Sequence, residues 1–218
     1  MKKIVRTGDG SDTIFVTELN EHYHSVHGAI RESTCVYIIN GFDFCNADPV
    51  RILEIGFGTG LNAMLTFMKA AESGRYVEYT SIEKFPLSPL IINSLNYIDF
   101  FENEHGKIFD TLHSLPWDRN YYITDSFIFR KIKSDFTVYN PSGSYDLIYY
   151  DAFGPDKQPE MWTKEVMIKI AGVSAPGAVF VTYSAKGEVK RNLNDTGFSV
   201  SLLPGPPGKR HVIRAVKI

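Results

Sequence analysis

The sequence predicts an α/β chain: a mostly parallel sheet with helices on both faces and an antiparallel C-terminal strand, preceded by a small N-terminal extension of hairpin and helix. Three observations carry this prediction. Apolar runs of strand length alternate with helix-length segments from Pro49 onward. The first of those runs enters a turn with glycine at alternate positions, Gly56, Gly58 and Gly60, and continues as a helix. At 218 residues, with 44% hydrophobic and 22% charged residues, the chain has an ordinary globular composition, which excludes disorder, a collagen-like repeat and a coiled coil.

In chain order, Lys3 to Thr7 and Thr13 to Thr17 are β-rich runs around the turn cluster Gly8-Asp9-Gly10-Ser11, a hairpin pattern. Val26 to Ile39 predicts a helix that stops near Asn40-Gly41. Together these make residues 1–48 an extension, and residues 49–218 the main domain. Strands are predicted at Val50 to Ile55, Tyr76 to Ile82, Tyr145 to Tyr150, Ala178 to Tyr183, Phe198 to Leu203 and Val212 to Lys217. Helices are predicted at Leu61 to Ala71, at Pro86 to Leu95 with Pro in its first turn, at Glu160 to Ile170 and at Gly187 to Leu193. Trp117 to Asn140 carries no readable pattern.

Lys and Arg number 23 against 25 Asp and Glu, a formal net charge of -2, so a nucleic-acid partner would need a local basic patch. Lys209-Arg210 with Arg214, and Arg130-Lys131 with Lys133, are the candidate patches; such residues are also the ordinary charges of a solvated surface. The two cysteines, Cys35 and Cys45, form no CxxC pair. No charged leader with an apolar core and no run of about 18 apolar residues occurs, so a soluble, cytoplasmic protein with no membrane partner is expected. His22, His24 and His27 form H-x-H-x-x-H, but no acidic or cysteine partner stands beside them and the spacing is not H-E-x-x-H; no metal site is expected.

Val50 to Asn62 is the most informative stretch. Glycines after a first strand let a ligand approach the backbone, and the following helix offers free N–H groups. The spacing G-x-G-x-G is neither the dinucleotide fingerprint nor a P-loop. E-x-G-x-G-x-G resembles motif I of class I S-adenosylmethionine-dependent methyltransferases. Glu83 ends the next strand, 23 residues after Gly60, where a carboxylate can accept hydrogen bonds from both ribose hydroxyls. Taken alone, Glu83 is more often a solvated strand-end charge; paired with the glycine turn, the binding reading wins. Asp151 closes the strand Tyr145 to Tyr150 and begins Asp151-Ala152-Phe153-Gly154-Pro155-Asp156-Lys157-Gln158-Pro159-Glu160-Met161-Trp162. It lies where an open sheet's C-terminal edge forms a ligand crevice, or it is a turn aspartate.

Taken together, these segments resemble the methyltransferase domain of MnmC-type tRNA 5-methylaminomethyl-2-thiouridine biosynthesis proteins, in its stand-alone form. Glu54 to Asn62 is similar to the family's E-x-G-F-G-T-G-L-N, and Glu83 to Leu87 to its E-K-F-P-L. Asp151 to Trp162 is similar to its D-G-F-x-P-x-x-N-P-x-M-W, and Gly205 to Arg210 to its terminal glycine-rich stretch. Asp9-Gly10-Ser11, Tyr23-His24-Ser25, Gly28-Ala29 and Glu32-Ser33 resemble the stand-alone branch. The chain departs from the pattern at Ala152, Gln158, Pro206 and Pro207.

The resemblance implies a Rossmann-like class I methyltransferase that uses S-adenosyl-L-methionine, with no flavin and no metal, on the anticodon loop of tRNA. The implied acceptor is the exocyclic amine of 5-aminomethyl-(2-thio)uridine at the wobble position. Glu54, Gly56, Phe57, Gly58, Gly60, Asn62 and Lys84 would shape the cofactor pocket, with Glu83 at the ribose and Asp125 facing the adenine. Tyr23, His24 and Glu32 would close the methionine end. Asp151 and Phe153 would meet the acceptor base, and Pro155, Lys157, Tyr183, Lys209 and Arg210 would contact the substrate. Two other readings stay open: an aminopropyltransferase-like enzyme acting on a small-molecule amine, which would gather carboxylates around Asp151, and a non-catalytic module of the same fold.

Overall fold

A computed structural model describes residues 1–101 and 103–218. Strands β1 (Lys2–Arg6), β2 (Asp12–Val16) and β3 (Glu21–His22) form a small antiparallel sheet. Helix α1 (Ala29–Ser33) continues directly into a π-helix, Thr34–Phe42. The main sheet is built from β4 (Val50–Ile55), β5 (Val77–Glu83), β6 (Asn120–Thr124), β7 (Phe127–Lys133), β8 (Tyr145–Tyr150), β9 (Ser174–Thr182), β10 (Phe198–Pro204) and β11 (His211–Lys217). Its order is β10-β11-β9-β8-β4-β5-β7-β6. Strands β9, β8, β4, β5 and β7 pair in parallel, while β11, β10 and β6 pair antiparallel. The remaining helices are α2 (Leu61–Ser73), α3 (Pro89–Ile92), α4 (Asn103–Ser114), α5 (Lys164–Val173) and α6 (Gly187–Asp195).

Successive strand side chains point to opposite faces, and the two faces carry separate cores. Ile52, Tyr79, Phe129, Leu147 and Tyr149 pack with Val36, Met64, Phe67 and Phe109 from the π-helix, α2 and α4. Leu53, Ile55, Ile148, Tyr150 and Phe180 pack with Val166, Ile170, Val189 and Leu193 from α5 and α6. The helices therefore do lie on both faces. The N-terminal segment shares the first core through Ile14, Ala29, Val36, Tyr37 and Phe42. No helix among the described residues is long and apolar enough to cross a membrane.

Several boundaries differ from expectation. The stretch without a readable pattern folds as the β6–β7 hairpin, and β7 lies inside the sheet beside β5. Its Phe-Ile-Phe-Arg-Lys-Ile-Lys run hides a strand because Lys131, only 1% exposed, donates from Nζ to the His113 carbonyl at 2.6 Å. The helix expected to stop at Asn40-Gly41 runs through both residues to Phe42. There Gly41 allows close packing: a Cβ on it would stand 3.0 Å from Val181 and 3.1 Å from Tyr149. The helix expected from Pro86 shrinks to one turn starting at Pro89. The helix expected from Glu160 splits into a 3-10 turn, Pro159–Trp162, and α5, whose first turn is capped by the Thr163 hydroxyl accepting from the Val166 amide at 3.4 Å.

Candidate cofactor and acceptor site

The C-terminal ends of β4, β5, β7 and β8 open on one edge of the sheet and form a cleft of about 930 Å³, counted out to its solvent mouth. Such an edge is where open α/β sheets bind ligands. Its floor is the glycine turn. Gly56 (φ 97°) permits β4 and β8 to meet: a Cβ on it would lie 2.6 Å from the Asp151 carbonyl oxygen, while the Asp151 amide donates to the Ile55 carbonyl at 2.9 Å. Gly58 (φ 50°) sits under the Tyr23 ring, 3.2 Å from where a Cβ would stand. Its amide donates to Glu83 Oε2 at 3.0 Å, and the Phe85 amide donates to Glu83 Oε1 at 2.7 Å. Glu83 is thus fixed at the rim with acceptor capacity left over, as a ribose-binding carboxylate requires.

Asp151 lines the opposite wall. Tyr37 Oη donates to its Oδ1 at 2.6 Å and Asn62 Nδ2 donates to its Oδ2 at 2.8 Å. Burial pushes its carboxyl up to about 7, against the lowering effect of those two hydrogen bonds. Behind the wall, Glu54 is fully buried; Asn62 Nδ2 reaches its Oε1 at 3.1 Å and the Ser81 hydroxyl its Oε2 at 2.5 Å. Burial raises Glu54 to about 8. Phe153 meets Tyr23 edge to face with centroids 5.0 Å apart. Its backbone is held from both sides, by Gln158 Oε1 accepting from its amide at 3.1 Å and by Trp162 Nε1 donating to its carbonyl at 2.8 Å.

The N-terminal extension covers the turn. His24 is buried with Nε2 2.8 Å from the Thr59 hydroxyl, and burial lowers its ring to about 4, so it is neutral. Glu32 Oε2 accepts from the Ser25 amide at 2.6 Å, and Lys209 reaches Glu32 Oε1 at 2.8 Å. The same ammonium lies 3.8 Å above the Tyr183 ring, whose hydroxyl donates to the Ala152 carbonyl at 2.9 Å.

Among the residues expected here, Gly56, Phe57, Gly58, Asn62, Tyr23, His24, Glu83, Lys84, Asp151, Phe153 and Tyr183 line one cleft. Glu54 and Gly60 stand behind it; a Cβ on Gly60 would lie 2.6 Å from His113 Nε2. Lys209 joins the cleft wall through Glu32 and Tyr183, whereas Arg210 is exposed and Pro155 and Lys157 lie outside the lining. Asp125 is a correction. It lies exposed in the β6–β7 turn, next to Ser126, whose carbonyl accepts from the Val77 amide at the start of β5. That is the opposite end of the sheet. The cleft is lined instead by Ser134, Asp135, Phe136 and Thr137, just after β7. Asp135 pairs with Lys84 at 2.7 Å, and that contact with Thr137 holds its carboxyl down at about 2. Lys131 is a second correction: buried under Phe57 and Trp117, it cannot belong to a surface patch with Arg130 and Lys133. The three histidines do not converge: the His22 ring packs 4.8 Å from Phe15, His24 on Thr59, and His27 lies against Gly208.

A parallel sheet of this order, with a glycine turn after its central strand and an acidic residue ending the next, defines an S-adenosylmethionine-dependent methyltransferase fold. Residues 122–218 match the family model described as S-adenosyl-L-methionine-dependent methyltransferase. The chain is similar to MnmC-type proteins. It is 31% identical, over 94% of its length, to the tRNA 5-methylaminomethyl-2-thiouridine biosynthesis bifunctional protein MnmC of Pseudoalteromonas atlantica, covering 32% of that protein. It is 32% identical, over 76% of its length, to the MnmC of Campylobacter hominis, covering 25%. The chain thus spans a quarter to a third of these curated relatives. The crystal structure of MNMC2 from Aquifex aeolicus superposes with a TM-score of 0.82 at 26% identity, over 99% of this chain and 69% of that one. A spermidine synthase crystal structure shares the fold at a TM-score of 0.55 and 14% identity, over 94% of this chain and 69% of that one.

Proposed function

We propose that the chain methylates the exocyclic amine of 5-aminomethyl-(2-thio)uridine at the tRNA wobble position, using S-adenosylmethionine, in the cytoplasm and without metal or flavin. Residues 49–218 form the cofactor-binding domain in this reading, with residues 1–48 as the extension that closes the methionine end. The names of the curated relatives support the acceptor. The observation that carries the reading is Asp151, a carboxyl on the cleft wall held by two donors, with an aromatic pair, Phe153 and Tyr23, beside it.

The residues present fit the cofactor. Gly58, at positive φ and tight against the Tyr23 ring, disfavours a side chain, Glu83 keeps unused lone pairs at the rim, and buried Asn62 Oδ1 has no donor among the described residues. When bound, the cofactor supplies a methyl group on a sulfonium, reactive enough that the protein's task is orientation. Glu83 would hold the ribose and the loop Ser134 to Thr137 the adenine. An amine must be neutral to accept a methyl group, so the substrate's ammonium must first lose a proton, and the N–C bond then forms as the C–S bond breaks. Asp151, with a carboxyl titrating near neutrality, is matched to orient that amine and take the proton. Phe153 offers a face to the base, and a wobble uridine in a single-stranded loop needs little unpairing to reach it.

Labelled S-adenosylmethionine with tRNA lacking only this methyl group, followed by nucleoside analysis, tests the reading. The expected product is 5-methylaminomethyl-(2-thio)uridine; no label in tRNA overturns it. One observation favours the small-amine reading: Glu83, Asp135, Asp151 and Glu160 all line the cleft, with Lys84 as the one cation lining it directly among the described residues. Three of the four are already engaged, Glu83 by backbone amides, Asp135 by Lys84 and Asp151 by Tyr37 and Asn62. A parallel reaction with a diamine in place of tRNA separates the two readings.

A further inference from the structure

Nothing on β8 itself orients the Asp151 carboxylate. Both oxygens are held from the opposite face of the sheet's edge, Oδ1 by Tyr37 on the π-helix and Oδ2 by Asn62 in the first turn of α2. Resting on the methyl-transfer reading above, we propose that Tyr37 is a positioning residue for the acceptor amine, acting through Asp151 by holding its carboxylate in one rotamer against the cleft.

Three observations support this role. Tyr37 is 1% exposed, and its hydroxyl makes its short contact, 2.6 Å, to the carboxylate; the Tyr150 carbonyl is at the long limit of 3.5 Å. The segment that carries it is a nine-residue π-helix, a rare geometry that recurs at functional sites. Gly41, one turn later, lets that helix sit against Tyr149 and Val181 closely enough for the Tyr37 hydroxyl to reach past the end of β8. A tyrosine needed only for packing would fill the same space as phenylalanine.

The charged and titratable groups facing Asp151 come from every neighbouring element. Tyr37 on the π-helix and Lys209 before β11 favour its ionised form; Glu32 on α1 opposes it. Asn62 on α2 favours ionisation and links Asp151 to Glu54 on β4. Tyr183 after β9, Tyr79 on β5 and Tyr97 before α4 also feel the Asp151 charge. Tyr37 itself is held well above its ordinary range by burial and by Asp151, so it stays a donor throughout any assay.

Carbon-13 NMR titration of the aspartate carboxyls, with the Asp151 signal assigned by its loss in Asp151→Asn, tests the proposal in wild type and Tyr37→Phe. The Asp151 midpoint is expected to rise by about one pH unit, the effect of losing one donor to a charged group. Affinity for the demethylated cofactor should hold, and single-turnover methylation of tRNA should fall about fivefold at pH 7, with the deficit closing toward pH 9. A purely structural tyrosine would lower the melting temperature and the rate at every pH and leave the midpoint in place; that result overturns the proposal. If Tyr37→Phe does not fold, 3-fluorotyrosine incorporated at position 37, a stronger donor of nearly the same shape, should lower the midpoint, and an unmoved midpoint overturns the proposal. A shifted midpoint in a protein that never methylates tRNA keeps the Tyr37–Asp151 coupling and removes the tRNA reading.

Discussion

Asp151 concentrates the residue-scale argument, because the desolvation that tunes it also destabilises the fold. Its folded value, about 7, lies above the ordinary 3.8. Between the two, the folded state keeps a proton that the unfolded state has released, so stability is lost as pH rises through that window and stays low above it. Asp151→Asn should therefore slow single-turnover methylation by on the order of 100-fold while leaving cofactor affinity intact. In denaturant melts the same variant should be more stable than wild type at pH 8, with a gain larger by roughly 2–3 kcal/mol than at pH 5. Equal gains at both pH values would mean that the carboxyl titrates normally. Glu83 makes the opposite prediction: Glu83→Ala should weaken cofactor binding by about 1–3 kcal/mol in calorimetry and spare the maximal rate. Retained affinity would return it to the role of a brace for the Gly58 and Phe85 amides.

At the scale of elements, close approach of backbones decides where substitution is tolerated. Gly41→Val would drive a side chain into Val181 and Tyr149, and should cost on the order of 1–3 kcal/mol in chemical denaturation while the cleft residues stay unchanged. A loss below 0.5 kcal/mol would show that the π-helix can back away from the sheet. The sequence carries the elements that bear on this packing unevenly. The glycine turn, Glu83 and the Asp151 segment were legible because strand-end chemistry shows in local order: apolar run, then glycine or carboxylate. The β6–β7 hairpin was not, since Arg130 and Lys131 break its apolar run and only the distant His113 carbonyl makes Lys131 acceptable inside. With β7 unread, Asp125 stood in for the true strand-end carboxylate, Asp135. Tyr37 gave no signal either. Its partner lies 114 residues away, and Asn40-Gly41 looked like a stop rather than a packing surface.

For the whole molecule, the extension and the cleft are one electrostatic unit. His24 and His113 grip Thr59 from opposite sides, through its hydroxyl and its carbonyl, and burial lowers both rings to about 4. For a histidine depressed on folding, stability is full above the unfolded value near 6.5 and is lost as pH falls toward the folded one. At pH 5 each ring should cost about 2 kcal/mol relative to pH 8. His24→Gln should accordingly flatten the acid limb of the stability profile, and an unchanged limb would place the titration elsewhere. Lys131 extends this unit to the far side of the turn, wedged between Phe57, Trp117 and the His113 carbonyl, with its ammonium lowered to about 8 by burial. At pH 8 it is therefore an intrinsically good nucleophile with no solvent access. Its acylation by a water-soluble reagent would measure how often the glycine turn and α4 part from each other. Saturation with the demethylated cofactor should slow that labelling severalfold, while exposed lysines such as Lys190 keep their rates, making this one side chain a built-in clock for breathing at the cofactor floor.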